Sequence, residues 1–341
     1  MKNKNIIFLS NAEGGIETFQ NNLIRFFLDN KINVNLIDKK KISLKKKDKK
    51  FFNFYKSDVI HGLINCIKTL RQINKKNFHQ NIFIISNPTV LVIYFLLIKI
   101  IFNNSKIIFF FHSHLLNKSL VQIIFSFFTS IFSIFVSKCV FVSTYTKKWW
   151  NFYFPLTMLS NNHVIYNKII TSKKSNKKNY KKLSIAFVGR FEKEKGLQTF
   201  LNFANKIKNK KINFFIFGRG SIKIIRNKYK NLKFFSWSKK EFIYNKINLL
   251  FVTSDIENCP LNVLEAKSYG IPTITISNGG IKEIIKNNKD GFLLKKNISV
   301  DDLTKKFLYI LKNYKSFEKN CYKNSGKFEI NKYKKKFFTN F

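Results

Sequence analysis

The sequence predicts an α/β protein built as two doubly wound parallel-sheet domains facing a central cleft. Three observations carry this. Short apolar runs alternate with helix-length stretches along most of the chain, the pattern of strands joined by crossover helices. The series occurs twice, on either side of a polar, lysine-rich stretch at 169–182 that has no periodicity. Most glycines follow or interrupt an apolar run, where a strand must turn tightly into a helix.

The first run, 6–9, ends at Ser10 and leads through Gly14-Gly15 into a stretch with Ile16, Phe19, Leu23, Phe26 and Phe27 at helical spacing. Residues 32–37 read as a strand, and the charge run 39–50 as an exposed loop or hairpin. Further strands are expected at 82–85, at 106–111 ending in His112-Ser113-His114, and at 140–142 ending in Ser143. The apolar stretches 90–102 and 120–136 are short or interrupted by polar residues. A span needs about 20 mostly apolar residues, so both read as buried or membrane-grazing helices. Beyond the linker, strands are expected at 183–188, 214–217, 232–235, 249–252 and 273–276. The Lys/Tyr/Phe-rich end reads as a helical tail. The domain plan is 1–168, a linker at 169–182, a second domain at 183–313 and a tail at 314–341. Ligands of open α/β sheets bind outside the carboxyl ends of the strands, which directs attention to the strand-end loops.

Composition narrows the chemistry. The chain has 341 residues, a formal net charge of +45, and only five arginines among its 63 basic residues. Lys, Asn, Ile and Phe belong to AT-rich codons, so the basic balance reads first as codon bias and second as a selected surface. The apolar fraction of 45% excludes a wholly disordered chain. No Asp or Glu occurs between residues 59 and 191, which removes a carboxylate catalyst from most of the N-terminal half. The four cysteines, Cys66, Cys139, Cys259 and Cys321, are scattered, so neither a zinc site nor a disulfide framework is expected, and a reducing cytoplasmic compartment is. The first ten residues are too weakly apolar for a signal-peptide core.

The densest constellation runs from Ser254 to Pro272. A strand ends at Val252, a polar loop follows, Pro260 suits the first helical position, Gly270 suits the residue after the last turn, and Pro272 blocks continuation. The N–H groups at the start of such a helix attract anions. Glu257 precedes that start and Glu265 lies on the second turn. Two carboxylates beside a phosphate-accepting helix end suit a ligand with phosphates and hydroxyls; a capped helix with surface glutamates fits the spacing equally well. A second constellation, Gly189-Arg190 through Lys195-Gly196, places one of the few arginines and a lysine after a strand, a fork and a point charge for phosphate oxygens. A third, Gly218-Arg219-Gly220, is a tight strand-end turn and weak evidence alone.

Taken in order, these motifs resemble the retaining glycosyltransferases of family 4. The match comprises Gly14-Gly15-Ile16-Glu17-Thr18-Phe19, Val188-Gly189-Arg190 through Lys195-Gly196, Phe217-Gly218-Arg219-Gly220, the Glu257-x7-Glu265 motif with Gly270-Ile271-Pro272, Asn278-Gly279-Gly280-Ile281-Lys282-Glu283 and Asp290-Gly291-Phe292-Leu293. It covers nearly the whole chain. Where the family often shows Asn-Gly at the domain junction, this chain has Tyr166-Asn167-Lys168.

The resemblance implies the GT-B architecture of two Rossmann-like domains, with the nucleotide-sugar held mainly by the second. It implies that Arg190 and Lys195 grip the donor diphosphate, that Glu265 binds the ribose hydroxyls, and that Glu257 contacts the transferred sugar. It further implies that the N–H groups of Asn258, Cys259, Pro260's neighbours and Leu261 hold phosphate or sugar oxygens, and that Trp237 edges the base. Gly14 and Gly15 would approach the diphosphate from the first domain, Gly218 would line the donor site, and His112 would lie by the donor sugar. His114 is read as a strand-end residue bonded to a neighbouring loop, and His61, His79 and His163 are read as structural.

The implied donor is a nucleotide-sugar, a UDP-sugar first with a GDP-sugar as the alternative. The implied acceptor is a saccharide or lipid-linked saccharide of cell-surface polysaccharide synthesis, such as lipopolysaccharide or capsule. No metal and no cofactor are required, because Arg190, Lys195 and the helix end supply the positive field. Between Lys68 and Lys182 every Lys, Arg, Asp or Glu is basic, so an anionic membrane surface is an expected partner and the location is peripheral on the inner face of the cytoplasmic membrane. Two alternatives stand beside this reading: a decayed GT-B scaffold without activity, and a basic nucleic-acid-binding protein. A sugar-nucleotide epimerase ranks below them, because the first domain lacks the acid–base carboxylates it would need.

Overall fold

The computed structural model describes residues 4–44, 46–76, 78–102, 104–113, 119–170, 182–222 and 232–330. The chain forms two compact units, Met1–Asn167 and Lys168–Phe341.

The first unit carries β1 (Lys4–Leu9), α1 (Gly15–Asp29), β2 (Asn33–Asp38), β3 (Phe52–Lys56), α2 (Leu63–Asn74), β4 (Gln80–Ile85), α3 (Pro88–Ile101), β5 (Ser105–Phe111), α4 (Leu120–Ser133), β6 (Lys138–Phe141), α5 (Thr144–Tyr153) and β7 (Asn162–Val164). The strands form one seven-stranded sheet in the order β3-β2-β1-β4-β5-β6-β7, and every pairing is parallel. Parallel strands covered on both faces read as continuous apolar runs, which is why β1, β4 and β5 are legible in the sequence. A ladder of asparagines crosses β4, β1, β2 and β3: Asn5 donates to Asn81 at 2.8 Å, Asn35 to Asn5 at 2.5 Å and Asn53 to Asn35 at 3.2 Å. Each amide satisfies its neighbour, so four polar side chains cross the sheet without an orphan at each junction.

The second unit carries β8 (Leu183–Val188), α6 (Leu197–Lys206), β9 (Ile212–Phe217), β10 (Leu232–Phe235), α7 (Lys240–Lys246), β11 (Leu249–Val252), α8 (Leu261–Ser268), β12 (Thr273–Thr275), α9 (Ile281–Ile284), β13 (Gly291–Leu293), α10 (Val300–Lys312) and α11 (Tyr314–Ser325). Its six strands run β10-β9-β8-β11-β12-β13, again all parallel. The order reverses between β8 and β11, and the carboxyl ends at such a switch point form the binding crevice of a doubly wound sheet. Phe200, Phe214, Phe251 and Phe307 interleave in the core of this unit, with ring centroids 5.6–6.0 Å apart.

Several expectations change. The charge run at 39–50 is neither loop nor hairpin throughout; a short 3-10 helix at Lys46–Phe51 leads directly into β3. The strands β3, β7 and β13 escaped the sequence reading, and all three are sheet edges. The stretch 120–136 forms α4 over most of its length, a helix as expected, and it is the hydroxyl residues Ser126, Thr129, Ser130 and Ser133 that are buried. The segment 314–341 begins as α11, which packs on α8 within the second unit. Residues 171–181 of the linker, His114, and the tail from 331 lie outside the described residues.

Candidate active site

In the second unit the motif residues gather at the carboxyl edge of the sheet. After β8 the chain turns through Gly189 and Arg190 into a 3-10 turn, Lys193–Lys195, that ends at Gly196. Gly196 has φ +69°, and a Cβ there would overlap the carbonyl of Thr253 at the end of β11. The hydroxyl of Thr253 donates to the Gly196 carbonyl at 2.8 Å. Only glycine can bring these two loops so close. The result places Lys195 Nζ 2.7 Å from Glu257 Oε1. Arg190 stands further out, with Nη2 3.5 Å from Glu194 in an exposed pair of small energetic value. Gly218, after β9, lies against the Gly189 carbonyl.

The loop between β11 and α8 is held by backbone bonds rather than side chains. Glu257 N–H donates to the Asn278 carbonyl at 3.0 Å, and Ile281 N–H donates to the Glu257 carbonyl at 3.0 Å. Asn278 N–H donates to Asp255, and Ser277 and Ser254 bond to each other beneath the loop. The Asn278-Gly279-Gly280 motif thus clamps Glu257. Pro260 stands at the N-cap with ψ 123°, one residue outside the helix, rather than at its first turn, because the extended ψ delays the helical geometry until Leu261. Cys259 in the loop and Leu261 at the start of α8 are buried. The first N–H groups of α8 have no intrahelical acceptor. Asn262, on the first turn, donates to the Val188 carbonyl at 2.8 Å and ties the two together.

One turn on, Glu265 Oε2 accepts a hydrogen bond from the Tyr244 hydroxyl at 3.0 Å. Burial pushes the Glu265 carboxyl above its ordinary range, opposed by Lys240 and by the Tyr244 bond. Tyr244 is fully buried and was not singled out in the sequence, where it is one aromatic of many; nor were Thr253, Asn262 or Ser277. Trp237 follows β10 and is 54% exposed, with no part in the packing of the core.

In the first unit, Gly14 caps α1 with φ 61° and ψ −122°, a conformation open to glycine. No protein atom lies within 4 Å of where a Cβ on Gly15 would stand, so packing does not require glycine at that position. His112, at the end of β5, packs edge-on against Phe19 of α1 at 4.7 Å and parallel to Phe110 at 5.9 Å. Burial lowers its pKa to about 3, which keeps the imidazole neutral. Among the described residues no cluster of three or more His, Cys, Asp or Glu side chains has a metal-site arrangement.

The chain resembles known proteins in sequence and in fold. Residues 168–328 match the family model of glycosyl transferases group 1. The O-antigen biosynthesis glycosyltransferase WbnH of Escherichia coli is 28% identical over 153 residues, 44% of each chain; the chain spans less than half the length of the curated relatives it matches. Among solved structures, Anabaena HepE in complex with UDP-glucose has a TM-score of 0.76 at 12% identity, covering 98% of this chain and 97% of that one. A glycosyltransferase from Rickettsia africae ESF-5 has a TM-score of 0.73 at 16% identity, over 97% and 95%. The fold is that of GT-B glycosyltransferases, and the family match to the second unit supports a group 1 glycosyltransferase.

Proposed function

We propose that the chain is a retaining glycosyltransferase of family 4. It moves a sugar from a nucleoside diphosphate sugar to a saccharide or lipid-linked saccharide in cell-surface polysaccharide synthesis, at the inner face of the cytoplasmic membrane. The observation that carries this reading is the convergence of the Lys195–Glu257 pair, the N-terminus of α8 and Glu265 at the switch point of one sheet. That sequence of groups suits a ligand that is anionic in the middle and hydroxylated at both ends. The UDP-glucose bound to HepE favours a UDP-sugar donor.

The chemistry separates an anionic nucleoside diphosphate from an oxocarbenium-like sugar. Stabilising the leaving group with cations and N–H dipoles is therefore the main task. Lys195, Arg190 and the start of α8 do this without a metal ion. Glu265 holds the ribose hydroxyls, Trp237 edges the base, and Glu257 orients the transferred sugar. Cys259 and Leu261 lend backbone N–H groups, as does Asn258. The leaving phosphate takes the acceptor proton, so no protein nucleophile is needed.

Calorimetry with UDP, GDP, ADP and CMP on the wild type and Glu265→Ala tests the donor site. One diphosphate should bind, and the variant should lose it. Arg190→Ala should keep the fold and lower turnover by about 100-fold or more. Absence of binding by folded protein, or a product of inverted anomeric configuration, would overturn the reading.

A further inference from the structure

The helix α4 is built inside out. Its buried side is a seam of small hydroxyl residues, Ser126, Thr129, Ser130 and Ser133. Each hydroxyl is satisfied within the helix: Ser126 donates to the Gln122 carbonyl at 2.8 Å, Thr129 to Phe125 at 2.7 Å, Ser130 to Phe127 at 2.7 Å and Ser133 to Ser130 at 2.7 Å. The seam therefore packs against the unit without orphaned polar groups, Phe132 stacks on Phe95 of α3 at 4.9 Å, and most of the other bulky side chains are left outside. Leu120 is 73% exposed, Phe127 52% and Ile124 47%. A helix whose other face met water would carry the opposite arrangement.

The exposed face continues onto neighbouring elements. The helix α4 packs on α3 and on the turn Pro155–Leu159, which in turn packs on α5. From α3, Leu96 and Ile100 are exposed at helical spacing; from α5 and the turn, Phe152 and Leu159 are exposed. Contiguous apolar surface on this scale marks an interaction site. Residues 119–137 contain no charged side chain, and the charges around them are basic: Lys99 lies three residues from Leu96 on α3, and Lys148 four residues from Phe152 on α5. Residues three and four apart share a helix face.

We propose that this face of the first unit seats in the interfacial layer of an anionic bilayer, with α4 lying in the membrane plane and Lys99 and Lys148 at the headgroups. Charge decides between a membrane and a second copy of the chain. A net charge of +45 and a segment from 59 to 191 without a carboxylate would set like charge against like across a self-interface. An anionic surface with an apolar interior complements both the lysine rim and the phenylalanine and leucine face. No described helix is long and apolar enough to cross a membrane, so the contact is with one leaflet. The inference deepens the membrane location proposed above by naming the surface that makes the contact; UDP binding, read separately, tests the transferase reading.

The test is co-sedimentation of the full chain with vesicles of phosphatidylglycerol and phosphatidylcholine, compared with pure phosphatidylcholine, at low and high salt. The expected result is binding to the anionic vesicles that persists in part at high salt, and falls at least tenfold in Ile124→Glu/Phe128→Glu. A second variant, Leu96→Gln/Ile100→Gln, should weaken binding less. Both pairs are exposed, so thermal melts should match the wild type, and UDP binding should be unaltered in both. Binding abolished by salt alone would overturn the apolar contact in favour of simple lysine attraction. Equal binding by the variants, no binding by the wild type, or concentration-dependent dimerisation lost in the same variants would each overturn the proposal.

Discussion

Lys195 Nζ lies 2.7 Å from Glu257 Oε1, an ion pair that joins the turn after β8 to the loop after β11. Its side chains are 28% and 12% exposed, so the pair is partly desolvated, and removing one partner leaves the other charge uncompensated. In the proposed reaction Lys195 serves the diphosphate and Glu257 the sugar. Glu257→Gln keeps the shape and removes the charge. We expect diphosphate affinity to change by less than about tenfold and turnover to fall by about 100-fold or more, a loss concentrated in kcat. Steady-state kinetics beside calorimetry checks this; equal losses in binding and turnover would move Glu257 from sugar orientation to simple anchoring of Lys195.

Tyr244 and Glu265 make the second pair that matters. The hydroxyl of Tyr244 lies 3.0 Å from the Glu265 carboxylate and 3.2 Å from the Asn262 carbonyl, so it braces both ends of the first turns of α8. Tyr244→Phe should lower stability by about 1 kcal/mol and weaken UDP binding several-fold. The hydrogen bond favours the ionised carboxylate, and burial opposes it. Losing the bond raises the Glu265 pKa further, so acid should weaken UDP binding at a higher pH in the variant than in the wild type. A pH series of the affinity reads this directly.

Much of this site was legible because its parts are local. Gly196 after Lys195, Glu257 eight residues before Glu265, and Gly270 closing α8 are all fixed by sequence spacing, and Gly270 does take a positive φ of 70°. The brace from Tyr244 was not legible, since its partner is 21 residues away and no periodicity marks it. The missed strands have a physical cause as well. The edge strands β3, β7 and β13 are polar-interrupted or only three residues long, so they lack the continuous apolar run that identified β8 and β11. Which face of α4 points inward was hidden for a different reason: its composition fits a buried or a membrane-grazing helix alike, and only the packing of Ser126 and Ser130 reveals the buried side.

Behind α8 lies a buried ion pair, Lys267 Nζ to Asp290 Oδ2 at 2.9 Å, with both side chains almost fully enclosed. Asn324 donates to the same carboxylate oxygen at 2.7 Å, and Lys286 N–H donates to the other at 2.8 Å. The network ties α8 to the turn before β13 and to α11. Lys267→Met leaves Asp290 buried with its charge only partly compensated, and should cost about 3–5 kcal/mol. The double variant Lys267→Met/Asp290→Asn removes both charges and should be less destabilised than the single one. Urea unfolding of these variants and of Asp290→Asn checks the order; a double variant as unstable as the sum of both singles would show that the pair does not act as a unit.

His112 gives the fold an acid sensitivity whose sign can be worked out. Its ring is packed by Phe19 and Phe110, and burial lowers its pKa from the usual 6.5 to about 3. In the unfolded chain it titrates near 6.5. Below that pH the unfolded state takes up a proton that the folded state does not, so the stability that this residue contributes is present above about 6.5 and is lost as pH falls towards 3. Between pH 7 and 5 the loss should be about 1–2 kcal/mol. Glu265 works in the opposite direction, because its raised pKa contributes stability that is present in acid and lost as pH rises. His112→Phe keeps an aromatic ring between its two neighbours and removes the titration. Its stability at pH 7 shifts by whatever the imidazole's polar contacts contribute, but the drop between pH 7 and 5 should shrink by about the amount given above. Melting temperatures of wild type and variant across that range measure the difference; parallel curves would mean that the imidazole becomes solvated and protonated without unfolding the chain.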